Sequence, residues 1–125
     1  MVGFGRTGEW FACDNWDVEP DLITFAKGVT SGYVPLGGVL VREDIAEFFD
    51  DNTLMCGLTY SGHPMGCAAG VATLDVYQEE GLLENSKEMG QHLGVELEKL
   101  KREHPSVGDV RYIGLFSSIE LVKDK

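Results

Sequence analysis

The run Pro20-Asp21-Leu22-Ile23-Thr24-Phe25-Ala26-Lys27-Gly28 decides how the chain is read. Leu22 to Ala26 is short, mostly apolar and rich in β-formers, bounded by the turn-like Glu19-Pro20-Asp21 and by Gly28. It predicts a buried strand ending at Lys27. A lone lysine between an apolar strand and a glycine-rich loop is an unusual place for a surface charge. Burial disfavours the ammonium, so such a lysine is either paired or shifted toward the neutral amine, its nucleophilic form. That is the form a Schiff-base lysine requires. In open α/β sheets ligands gather outside the carboxyl ends of strands, which is where this assignment puts Lys27. The residues alone leave one alternative open, a structural lysine with a buried stem and its head in water.

Outward from that run, Gly28 to Gly38 is a flexible, glycine-rich connection with Pro35, leading to a second short strand, Gly38 to Val41. Arg42 to Phe49 reads as a short acidic helix. After a loop from Asp50 to Gly62, Pro64 in the first turn opens a helix running to about Glu80. Ala68, Ala69, Gly70 and Ala72 in its body predict a close neighbour. Gly81 ends it. A second amphipathic helix follows to about Glu103, with Met89, Leu93, Leu97 and Leu100 on one face, and His104-Pro105 stops it. Asp109 to Tyr112 and Phe116 to Val122 are strand-like and join through Gly114. Residues 1 to 21, dense in glycine, aromatics and acids without periodicity, read as an ordered loop region.

At 125 residues the chain is long enough for one compact core and too short for two full domains. Its net charge of −11 works against nucleic acid and anionic membranes, which need clustered Lys and Arg. Small molecules or another protein are the better partners. No apolar run approaches the roughly 20 residues that span a bilayer. Cys13, Cys56 and Cys67 are odd in number and widely spaced, which gives no disulfide framework and fits a reducing compartment. The expectation is a soluble, cytoplasmic protein. No metal site is expected, because Cys56, His63 and Cys67 lack a fourth ligand at a useful spacing. Gly3-Phe4-Gly5-Arg6-Thr7-Gly8 has G-x-G-x-x-G spacing, but too little chain precedes it for the strand, and no helix signature follows. It reads as a structural glycine turn.

Three blocks of the chain resemble the class III, or omega-, aminotransferases, pyridoxal 5′-phosphate (PLP) dependent enzymes of fold type I. The first is Gly3 to Gly8 with the aromatic pair Trp10-Phe11. The second is Pro20 to Gly28, continuing through Gly32-Tyr33 to Pro35-Leu36-Gly37-Gly38. The third is Thr59-Tyr60-Ser61-Gly62-His63-Pro64 with Cys67-Ala68-Ala69 and Ala72-Thr73-Leu74. The likeness extends through Gly81-Leu82-Leu83-Glu84-Asn85 to Gly114-Leu115 and Ile119-Glu120-Leu121, nearly the whole chain.

The resemblance implies an α/β fold. Residues 1–80 would be the C-terminal part of a PLP-binding large domain with a mainly parallel sheet, and 81–125 the start of an α+β small domain. It implies that Lys27 forms the internal Schiff base and then moves a proton between substrate and cofactor. It implies that Thr59 contacts the cofactor phosphate from the neighbouring subunit of a homodimer, that Leu58 approaches the same cofactor edge, and that Met1 lies near the pyridine ring. The substrates would be an amine donor, a primary amine or omega-amino acid, and a keto-acid acceptor such as pyruvate. The family's Asp for the pyridine nitrogen would fall just ahead of Met1, so the sequence resembles the middle to C-terminal part of a longer enzyme. On its own it is expected to be inactive. A non-catalytic remnant serving as a dimerisation module is the competing expectation.

Overall fold

The computed structural model describes residues 2–124. The strand around which the sequence was read is β1, Leu22–Ala26, and it pairs with β2, Gly37–Val41, in the register Leu22 with Val41 and Ala26 with Gly37. The pair is antiparallel. An antiparallel edge pair is common on an otherwise parallel sheet, but among the described residues both strand pairs are antiparallel and the expected parallel pairing does not occur. β1 is not buried as expected. Its side chains alternate, with Ile23 and Phe25 half-buried and Leu22, Thr24 and Ala26 exposed, because the chain covers one face only. At the foot of the pair Arg42 bonds to Asp21 and Asp44, and the Arg42 hydrogen bond holds the Asp44 carboxyl below its ordinary range.

Helix α1, Glu43–Asp51, buries none of its residues. Helix α2, Pro64–Glu79, begins where Pro64 pre-sets the backbone and His63 Nδ1 accepts the Met65 N–H at 3.3 Å. Its buried positions are Gly66 and Gly70, one turn apart, while Ala68 and Ala72 face outward. A Cβ at Gly70 would lie 3.1 Å from the Leu36 side chain, so the missing side chains let α2 sit against the loop between β1 and β2.

Gly81, at φ 60°, turns the chain into α3, Leu82–Glu103. Strands β3, Val107–Ile113, and β4, Phe116–Leu121, form a second antiparallel pair. Leu97, Val107 and Val110 make the buried cluster there, with Leu93 against it. Gly90 lets α3 touch the β3–β4 turn, for a Cβ there would stand 2.5 Å from Gly114 Cα. Lys101 bonds Asp109 at 2.8 Å, which raises the lysine's affinity for its proton and lowers the carboxyl's. Among the described residues no helix is long and apolar enough to cross a membrane.

Candidate active site

Lys27 is the first residue beyond β1, where the chain tightens into a 3₁₀ turn, Lys27–Thr30. Ala26 is still extended, but Lys27 has a φ of 54°. The left-handed conformation costs a residue with a Cβ about 1–2 kcal/mol, and such strain persists only where the surroundings hold it. The turn supplies part of that hold. Ser31 N–H donates to the Gly28 carbonyl at 3.1 Å and Gly32 N–H to the Lys27 carbonyl at 3.3 Å. Beneath, Val29 and Thr30 are buried, and the Thr30 hydroxyl donates to the Val34 carbonyl at 2.6 Å.

The glycine block forms the wall beside this turn. Phe4 N–H donates to the Trp10 carbonyl at 2.6 Å, Gly5 N–H to the Glu9 carbonyl at 3.2 Å, and Gly3 bridges Phe11. The block is therefore a tight reversal leading into the 3₁₀ helix Ala12–Trp16, and no α-helix N-terminus follows it for a pyrophosphate. Phe4 presses on Gly28, where a Cβ would lie 2.8 Å from the Phe4 Cβ. From α2, the Tyr77 hydroxyl donates to the Gly28 carbonyl at 3.4 Å, and its ring lies 6.4 Å from Phe4 and 5.8 Å from Trp10. Glu9 pairs with Lys87 of α3 at 2.9 Å, which raises the lysine's affinity for its proton.

Two open hollows meet at Lys27. One, of about 460 Å³, is lined by Phe4, Phe11, Ile23 and Phe25 among others, and the second, of about 540 Å³, by Thr30, Val34, Pro35 and Leu36. Lys27 lines both. The burial expected around its amine is not provided by these residues, and Lys27 is exposed. The physical reason is that β1 pairs with β2 alone among the described residues, leaving its other edge open. An accessible primary amine at a strand's carboxyl end, beside hollows of small-molecule size, fits a covalently held carbonyl cofactor.

Leu58 and Thr59 stand apart on the exposed loop between α1 and α2. The hydrogen bonds that shape their turn are internal to it. Leu58 N–H donates to Ser61 Oγ at 3.3 Å, Ser61 N–H to the Leu58 carbonyl at 3.0 Å, and His63 N–H to the Tyr60 carbonyl at 3.2 Å. Within one chain, then, they are not brought to Lys27 by any of these bonds. Met1 lies outside the described residues. Sequence reasoning missed Tyr77, which reaches Gly28 across 49 positions that carry no spacing signal.

The family model for aminotransferase class-III matches residues 1–125. Diaminobutyrate–2-oxoglutarate transaminase of Halomonas elongata is 42% identical over 99% of this chain and 28% of its own length. For putrescine–pyruvate aminotransferase of Pseudomonas aeruginosa the identity is 42%, over 100% of this chain and 28% of its own length. A solved structure of taurine:2-oxoglutarate aminotransferase from Bifidobacterium kashiwanohense, in complex with PLP and glutamate, superposes with a TM-score of 0.95 at 54% identity. It covers 98% of this chain and 27% of that one. The chain thus spans about 28% of the length of the curated relatives, and its α/β elements are those of PLP-dependent transaminases. Matched from its first residue to its last, the chain belongs to the class III aminotransferases, whose cofactor is PLP.

Proposed function

We propose that the protein containing this chain transfers an amino group from a primary amine or omega-amino acid to a keto acid such as pyruvate, with Lys27 as its Schiff-base lysine. The observation that carries the reading is Lys27 itself, held with φ 54° at the end of β1, its amine open to two hollows. Named relatives act on diaminobutyrate, putrescine and taurine, each carrying a primary amine, which supports this donor class.

When bound, the cofactor supplies an aldehyde for covalent attachment and a ring that withdraws electrons from the substrate carbon. Lys27 Nζ would hold it and, once freed from it, would serve as the base that carries a proton to and from the substrate carbon. The turn below Lys27 fixes the backbone from which Nζ extends. Thr59 would hold the cofactor phosphate through its hydroxyl or backbone N–H, across the interface of a homodimer, with Leu58 against the same edge. What supports this is the exposure of the loop's apolar side chains, 90% for Met55 and 82% for Leu58. Such surface suits contact with a partner. We also place the boundary between the PLP-binding large domain, 1–80, and the small domain, 81–125, at Gly81. Beyond it α3, β3 and β4 share their own cluster around Leu97. The cysteine pattern suits a cytoplasmic protein.

Lys27→Arg in the full-length protein tests the central role. A guanidinium stays protonated and can neither attach the cofactor nor act as a base, so turnover should fall by about 10²- to 10⁴-fold or more. Steady-state assay showing Lys27→Arg close to wild type would overturn the assignment.

A further inference from the structure

We infer that Tyr77 is a positioning residue for Lys27, acting through the Gly28 carbonyl; the inference rests on the reading of Lys27 above. The Gly28 carbonyl is the acceptor on which the turn closes, taking the Ser31 N–H at 3.1 Å and the Tyr77 hydroxyl at 3.4 Å. Lys27, the residue before Gly28, carries the strained φ of 54°. Fixing the carbonyl of the next residue limits how far that strain can relax. Tyr77 is itself packed against aromatic rings. Its ring sits between Phe4 and Trp10, centroids 6.4 Å and 5.8 Å away, and Phe4 in turn abuts Gly28. The hydroxyl is therefore delivered to the turn by a helix, α2, that already packs on the same loop through Gly66 and Gly70 against Leu36.

A lysine that both holds a cofactor and carries a proton needs its Nζ returned to one place in each state. Misplacement of a reacting group costs rate without weakening substrate binding in proportion. Tyr77 thus bears on proton transfer while touching neither cofactor nor substrate.

The test uses the full-length holoenzyme with PLP and two variants. Tyr77→Phe keeps the ring and removes the hydroxyl, whereas Trp10→Phe alters the packing on Tyr77 and leaves the hydroxyl in place. Tyr77→Phe is expected to lower kcat by about three- to tenfold with KM for the amine little changed. It should also move the pH midpoint of the visible absorption band of the Lys27-bound cofactor. In the cofactor-free protein it should speed hydrogen exchange at the Ser31 amide, a readout independent of turnover. Trp10→Phe should shift band, kcat and exchange by clearly less, since the hydroxyl and the Phe4 contact of Tyr77 remain. Tyr77→Phe that matches wild type in kcat and band, or Trp10→Phe that shifts them as much, would overturn the inference and leave Lys27 untouched. Loss of the band's dependence on Lys27, read in Lys27→Ala, would instead overturn the reading on which it rests.

Discussion

Gly28 has no Cβ because Phe4 occupies that space, with its Cβ and ring atoms 2.8 to 3.0 Å from where one would stand. Gly28→Ala in the full-length protein must therefore displace either the Phe4 loop or the Lys27 turn. Overpacking of this kind costs about 1–3 kcal/mol, and whichever side gives way, the seating of the Lys27 turn against Phe4 changes. The expected outcome is a fall in PLP occupancy of the purified protein, measured by absorbance, together with reduced turnover. Phe4 has a φ of 51°, which glycine adopts without strain. Phe4→Gly should therefore restore part of the lost occupancy in the double variant, and strict additivity of the two losses would count against direct contact. The sequence made Lys27 and its glycine neighbours legible, because strand, charge and turn residues are contiguous there. It did not show the exposure of the amine, because β1 pairs with β2 alone among the described residues, nor the left-handed backbone of a residue type that seldom adopts it.

Elements with strong local punctuation were legible to within a residue or two. Pro64, Gly81 and His104-Pro105 delimit α2 and α3 where expected, because caps and breakers act within one turn of the helix. The 3₁₀ helices Ala12–Trp16 and Lys27–Thr30 fall where the sequence predicts loop, being too short to show a period. Pairing direction was also out of reach, since alternation along β1 is the same whichever way its partner runs. On α2 the expected close contact exists at Gly70, joined by Gly66, while Ala68 and Ala72 face outward. Helix α3 offers a sharper test. At Gly90 an added Cβ would meet backbone, Gly114 Cα at 2.5 Å, whereas at Gly94 it would meet the Tyr112 ring, a side chain 43% exposed and free to swing outward. Both changes gain about 1 kcal/mol of helix propensity. Gly90→Ala should nevertheless lower stability by about 1–3 kcal/mol, and Gly94→Ala by clearly less. Urea midpoints of the two variants check the order, and a reversed order would mean that α3 does not rest on the β3–β4 turn as described.

The whole molecule exposes 9374 Å², against about 6,600 Å² expected of a folded monomer of this mass. Trp16, Tyr33, Phe48, Met55, Leu58 and Leu121 are among the large apolar side chains left in water. A surface that open is suited to being covered by other parts of a larger assembly, and it predicts that residues 1–125 alone will self-associate. Light scattering of the purified chain should show aggregates, and with PLP, pyruvate and a panel of amines it should form no alanine above free PLP. The central claim, that Lys27 carries the cofactor, is tested most directly in the full-length holoenzyme by reducing it with borohydride and mapping the modified peptide. The account predicts one pyridoxyl group per subunit, on Lys27. Cofactor fixed instead on Lys87, Lys99 or Lys101, with Lys27 unmodified, would contradict it.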